Sequence, residues 1–191
     1  MLGRLLLAVV AFLAGYCVFP LVFPGSITPV TGERKVAIIT GSSSGIGAEM
    51  AIQMGRAGYT VVLAARRKAE LEVVAAQVTA AGAPGVLPLV ADLGQAEDCE
   101  RVVAEALAAF GRLDMLVINH AMFDDGLFIE KDVAALDATL LPQFKVNVMG
   151  PAYLIRAALP SLEKAPGGGS VVEVSSGSIR IPVPFHVRPL Q

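Results

Sequence analysis

The run Thr40-Gly41-Ser42-Ser43-Ser44-Gly45-Ile46-Gly47 narrows the possible folds of this chain more than any other stretch. It stands between a short β-branched segment, Val36 to Thr40, and an amphipathic pattern from Ile46 to Ala57. Glycines at such a junction let the backbone turn sharply and come close to a ligand, and the start of a helix offers unpaired N–H groups to an anion. The pattern predicts the first βα turn of a dinucleotide-binding unit, with a pyrophosphate held by Gly41, Ser42, Ser43, Ser44, Gly45, Ile46 and Gly47. A tight turn without a ligand is the plain alternative.

The remainder of the chain favours the first reading. Beyond Lys35, short β-branched runs alternate with longer helical patterns, the signature of βαβ units and a parallel sheet. Strands are predicted at Val36–Thr40, Thr60–Ala64, Val86–Val90, Met115–Asn119 and Ser170–Val174. Helices are predicted near Ile46–Ala57, Lys68–Ala81 and Ala96–Phe110, with a long one in the region Leu140–Leu162 that carries Pro142 and Pro151. Right-handed crossovers arrange five strands in the order 3-2-1-4-5, a doubly wound α/β sheet over residues 35–180, followed by an irregular tail at 181–191.

Ahead of that domain, Leu5 to Phe23 contains 19 residues without a charge. As a helix it would be roughly 28 Å long, about one hydrocarbon thickness. Residues 1–24 are expected to be a transmembrane or signal anchor and 25–34 a Pro/Gly/Ser/Thr linker. A cleaved signal peptide is the competing reading. It is disfavoured by the length of the run and by Pro20 and Pro24, which leave no clean small-x-small site. The expected location is a membrane, that of the endoplasmic reticulum, with one N-terminal anchor. The segment also explains the unusual averages, 54% hydrophobic and 17% charged residues. The net charge of -2, with scattered basic residues, argues against a nucleic-acid partner. Cys17, Cys99, His120 and His186 have no metal-ligand spacing, so no metal site is expected.

Several motifs in order resemble the short-chain dehydrogenase/reductase family. The glycine spacing is Gly-x-x-x-Gly-x-Gly, Asp92-Leu93 follows the third strand and Asn119-His120-Ala121 ends the fourth. Asn147 lies in the long helical region, and Val174-Ser175-Ser176 ends the fifth strand. Within the family, the segment LDMLVINH and the anchor are most similar to the 11β-hydroxysteroid dehydrogenase type 1 group. The resemblance covers about 150 residues from Lys35. It implies that Asp92 and Leu93 face the adenine and that Asn119, His120 and Ala121 line the cofactor near a ribose.

Cofactor choice can be read at the end of the second strand. An NAD enzyme places an acidic residue there for the ribose 2′-hydroxyl, whereas this chain has Arg66 and Arg67. Two guanidinium forks suit a 2′-phosphate, so NADP(H) is expected. A solvated charge pair is the bland reading.

By resemblance, catalysis needs an asparagine holding a relay water, a serine on the substrate oxygen, a tyrosine acid/base and a lysine that lowers the tyrosine pKa. A phenol near pKa ~10 is a poor base without such a cation. Asn147 and Ser176 match the first two roles. The Tyr-x-x-x-Lys pair would begin near Pro189, yet the sequence given ends at Gln191, and the last tyrosine and lysine are Tyr153 and Lys164. His186 lacks an orienting partner, and Tyr153 is expected to pack in the core. The chain as written is therefore not expected to run the family reaction. Three readings compete: an incomplete NADP(H)-dependent oxidoreductase for a small lipophilic, steroid-like alcohol or ketone; an inactive cofactor-binding form that recruits a partner, as a homo- or heterodimer; and a poorly folded fragment.

Overall fold

The computed structural model describes residues 35–123 and 132–175. The expectations for the anchor and linker at 1–34, for Ser176 and for the tail at 181–191 lie outside the described residues. Among those that are described, no helix is long and apolar enough to cross a membrane.

Five strands form one sheet: β1 Val36–Thr40, β2 Thr60–Ala65, β3 Val86–Val90, β4 Met115–Ile118 and β5 Ser170–Glu173. All pairings are parallel, in the order β3-β2-β1-β4-β5. That is the predicted order, and each strand end falls within one residue of the prediction. Every residue of β1 is buried, as are all but the first of β2 and β4. Central strands of a parallel sheet are covered on both faces, which is why they read as unbroken apolar runs and not as alternating ones. The edges differ. β3 is half exposed and all of β5 is exposed.

Helices α1 Gly45–Arg56 and α2 Lys68–Ala80 pack on one face, and α3 Ala96–Phe110 with the later helix Gly150–Leu162 packs on the other. Side chains alternate across a strand, so β1 is shared between two cores. Val36 and Ile38 join Val62, Leu116, Val102 and Leu154 on the α3 side. Ala37 and Ile39 join Leu63, Val117, Leu71 and Val78 on the α1–α2 side. Each fully buried Ile, Leu or Val contributes about 1.5–3 kcal/mol. α3 ends where Gly111 takes a left-handed φ of 72° and its N–H closes on the Leu107 carbonyl at 2.8 Å, a glycine C-cap.

The long helix predicted from Leu140 is corrected in two respects. It begins earlier, as α4 Val133–Phe144, because Asp132 caps it by accepting the Ala135 N–H at 2.8 Å. It is also interrupted by a π-turn, Lys145–Met149, before α5 Gly150–Leu162. Pro151 stands in the first turn of α5, where a missing N–H costs nothing. Tyr153 of α5 is half-buried against the α3-side core, the packing role expected of it.

Candidate functional site

The C-terminal ends of β1, β2, β3 and β4 converge on a cleft of about 470 Å³. Order reverses between β1 and β4, so this is the switch point at which open α/β sheets bind ligands. The cleft is lined by Gly41, Ser43, Ser44, Arg66, Arg67, Asp92, Leu93, Asn119, His120 and Ala121, all expected from sequence. Ala65, Ala91 and Val146 also line it and were missed. The first two could have been found, since each stands at or just after a strand's C-terminal end. Of the remaining expected residues, Ser42 and Gly47 are buried, Gly45 is exposed, and Ile46 is 66% exposed away from the cleft.

The glycine turn is held from both sides. Gly41 has φ +63°, and a Cβ there would lie 2.9 Å from the His120 Cα. Asn119 Nδ2 donates to the carbonyls of Thr40 at 3.2 Å and Gly41 at 3.4 Å. Ser44 occupies the N-cap position of α1 without making a side-chain cap. Its hydroxyl is engaged elsewhere: Arg67 Nη2 donates to Ser44 Oγ at 2.6 Å and to Ser43 Oγ at 3.1 Å, and Nε reaches Ser43 Oγ at 3.3 Å. A guanidinium only donates, so both serine oxygens accept and their hydroxyl hydrogens are free to face an anion. The helix start, lacking a side-chain cap and any acidic residue in its first turn, has donors for the same purpose. Ser42 Oγ is buried with no hydrogen-bond partner. A turn built only to join strand to helix would need neither this orphaned hydroxyl nor a bare helix start.

Arg66 and Arg67 both line the cleft, but their surroundings differ. Arg67 is braced by the serines and by Glu70 at 3.6 Å, an exposed pair worth little in itself. Arg66 makes no ion pair among the described residues and borders a second, adjoining cleft of about 300 Å³ with Lys145 and Met122. Gln95 stands at the N-cap position of α3, while Asp92 Oδ1 accepts the Gly94 N–H at 3.1 Å and its own N–H goes to Asp98 at 2.7 Å. Asn147 lies in the π-turn. Its Oδ1 accepts the Met122 N–H and its Nδ2 donates to the Met122 carbonyl, each at 2.7 Å. Ser176, the other expected catalytic residue, lies outside the described residues.

Cys99, on α3, is fully buried, with its thiol donating to the Leu93 carbonyl at 3.4 Å. Burial first, then the nearby carboxylates Asp98, Asp92 and Glu100, push the thiol up to about 12, which makes it a packing residue and not a nucleophile. Among the described residues no cluster of His, Cys, Asp or Glu could hold a metal ion.

A doubly wound sheet with a glycine turn of this spacing at its switch point defines a dinucleotide-binding fold. The chain belongs to the short chain dehydrogenase family, whose pattern matches residues 35–187. Its likeness within that family is to the 11β-hydroxysteroid dehydrogenase group. It is 37% identical over 152 residues to 11-beta-hydroxysteroid dehydrogenase-like 3 of Arabidopsis thaliana, covering 80% of this chain and 48% of that protein. It is 36% identical over 160 residues to the hydroxysteroid 11-beta-dehydrogenase 1-like protein of Xenopus tropicalis, covering 84% and 54%. The chain thus spans about half the length of the curated relatives it matches. Among solved structures it is similar to a metagenomic short-chain oxidoreductase in complex with NADP, with TM-score 0.71 and 31% identity over 82% of this chain and 68% of that one.

Proposed function

We propose that the chain is the nucleotide-binding part of an NADP(H)-dependent oxidoreductase that acts on a small lipophilic alcohol or ketone, steroid-like in class. The observation that carries the cofactor choice is the pair Arg66 and Arg67 on the cleft wall, where a reader of the ribose 2′-hydroxyl would be acidic. The solved relative with bound NADP and the hydroxysteroid dehydrogenase relatives support the reading. When bound, the nicotinamide supplies the hydride chemistry. The chain's own residues bind and orient. The α1 start and the glycine turn take the pyrophosphate, Arg66 and the Ser43 and Ser44 hydroxyls take the 2′-phosphate, Asp92 and Leu93 border the adenine, and Asn119, His120 and Ala121 border a ribose. Asn147 and Ser176 are assigned to the relay and the substrate oxygen by resemblance alone.

Arg66→Ala is expected to raise the NADPH dissociation constant roughly 10- to 100-fold, the loss of a charge-assisted contact, and to leave NADH binding unchanged. Fluorescence titration of the full chain in detergent reads both. Equal affinity of the parent chain for NADH and NADPH would overturn the cofactor choice.

The uncharged run Leu5–Phe23 further supports anchoring in a membrane, which we propose to be that of the endoplasmic reticulum. The full chain is expected to stay in the membrane pellet through alkaline carbonate extraction, and a chain starting at residue 25 to be released. Release of both would remove the anchor from the proposal.

A further inference from the structure

Thr40, His120 and Val146 tie together three segments that are far apart in sequence. The Thr40 hydroxyl is buried at the end of β1, and its oxygen accepts the backbone N–H groups of Asn119 at 2.9 Å and His120 at 3.3 Å. Two lone pairs are thereby used. His120 Nδ1 lies 2.9 Å from the same oxygen, and His120 Nε2 lies 3.1 Å from the Val146 carbonyl. A carbonyl only accepts, so Nε2 carries the ring hydrogen. The Thr40 hydroxyl hydrogen has two acceptors in reach, Nδ1 and the Val117 carbonyl at 3.1 Å. Only the first choice leaves no ring nitrogen unpaired. The neutral ring satisfies every group, whereas an imidazolium would aim a third donor at an oxygen with no lone pair to spare. Burial, opposed by the Val146 hydrogen bond, holds the His120 pKa below its ordinary value, in keeping with a neutral ring.

What the ring holds is the π-turn. A π-turn departs from the ordinary helical hydrogen-bond ladder, and such turns persist where other contacts and a function retain them. Val146 precedes Asn147, whose amide exchanges two hydrogen bonds with the Met122 backbone. Together with the His120 contact, the segment after β4 and the π-turn are joined at three points. The first residue of α5 closes against the same ring: a Cβ on Gly150 would lie 3.1 Å from His120 Nε2 and 2.2 Å from the Leu93 carbonyl, so glycine alone permits the approach.

We propose that His120 is a positioning residue: its Nε2–H fixes the Val146 carbonyl and with it the π-turn, and so sets where the Asn147 amide stands against Met122. The inference rests on the reading of the cleft as a nucleotide site for its consequence, but not for its test. Hydrogen exchange followed by mass spectrometry on the full chain in detergent compares His120→Gln, whose amide can still donate to Val146, with His120→Phe, which fills the volume without a donor. The Phe variant is expected to speed exchange about tenfold or more in peptides covering Met122 and Lys145–Met149, with β1 and β2 unchanged, and the Gln variant to restore the parent rate within about twofold. Unchanged exchange in the Phe variant, uniform acceleration across the sheet, or no rescue by Gln would each show that the ring only fills space. Parallel NADPH titration separates the two readings. A parent chain that binds no NADPH sinks the nucleotide site while the exchange pattern stands or falls independently.

Discussion

Gly47→Ala is expected to abolish saturable NADPH binding, with a rise in dissociation constant of about 100-fold or more. Gly47 is buried in the first turn of α1, and a Cβ there would lie 2.4 Å from the Gly41 carbonyl oxygen and 2.5 Å from Asn119 Nδ2. Neither neighbour can step aside cheaply. Gly41 is held by its own N–H bond to the Ala64 carbonyl at 2.9 Å, and Asn119 Nδ2 bridges the two carbonyls of the turn. The helix start must move away from the turn by most of an ångström, and misplaced donors lose an anion far faster than they lose helicity. A hundredfold loss corresponds to about 2.8 kcal/mol, within reach of two displaced charge-assisted hydrogen bonds. Gly82→Ala is the control. It has φ +102° and nothing within 4 Å of an added Cβ, so it costs backbone strain of about 1–2 kcal/mol and should leave NADPH affinity intact. NADPH affinity retained by the Gly47 variant would mean that the turn does not hold the pyrophosphate.

The second large effect is on stability. Asp114 precedes β4, is buried, and accepts the Val36 N–H at 2.8 Å and the Arg112 Nε–H at 2.8 Å, with a further bond from Arg112 Nη2. It thereby ties the first residue of β1 to the segment leading into β4. Asp114→Ala orphans a buried N–H and a half-exposed guanidinium, at a cost of about 3 kcal/mol. In a chain of this size that lowers Tm by about 6–12 °C, which a thermal melt reads directly. The charge state adds a pH signature. Burial pushes the Asp114 carboxyl up, but the Arg112 and Val36 hydrogen bonds and the fields of Arg112 and Lys35 together outweigh it, so the folded value lies below the ordinary one. A depressed carboxyl contributes stability that is fully present above its unfolded value, about 3.9, and is lost as pH falls through the folded value. The difference in Tm between parent and Asp114→Ala should therefore be constant above about pH 5 and shrink below about pH 4. A difference that persists undiminished at pH 3 would assign the effect to packing.

The sheet was legible in the sequence because parallel strands buried on both faces leave unbroken β-branched runs, and because Gly41, Gly45 and Gly47 mark the first crossover. The α4–α5 region was less so. One long helix carrying Pro142 and Pro151 was expected, whereas Pro151 sits in the first turn of a second helix and the irregularity between the two is a π-turn, which no residue type announces. The cleft wall was read from motifs at strand ends, but its internal bracing was not. Arg67 meets Ser43 across 24 positions and His120 meets Val146 across 26, and such pairs become neighbours only through the parallel crossovers. Thr40 opens the glycine turn, yet its hydroxyl, the hub of four contacts, is indistinguishable in sequence from any strand-end threonine.

Because β1 divides its side chains between two cores, Ile38 and Ile39 are covalent neighbours that answer to different sets of residues. A volume lost at Ile38 can be refilled only from Leu116, Val102, Leu154 and others on that side, while a change at Ile39 is repaired by Leu63, Leu71 or Val78. The sheet acts as a partition across which side chains do not meet, so compensating substitutions in this domain fall into two groups that drift separately. Only the backbone of the central strands, and with it the position of the glycine turn, is common to both.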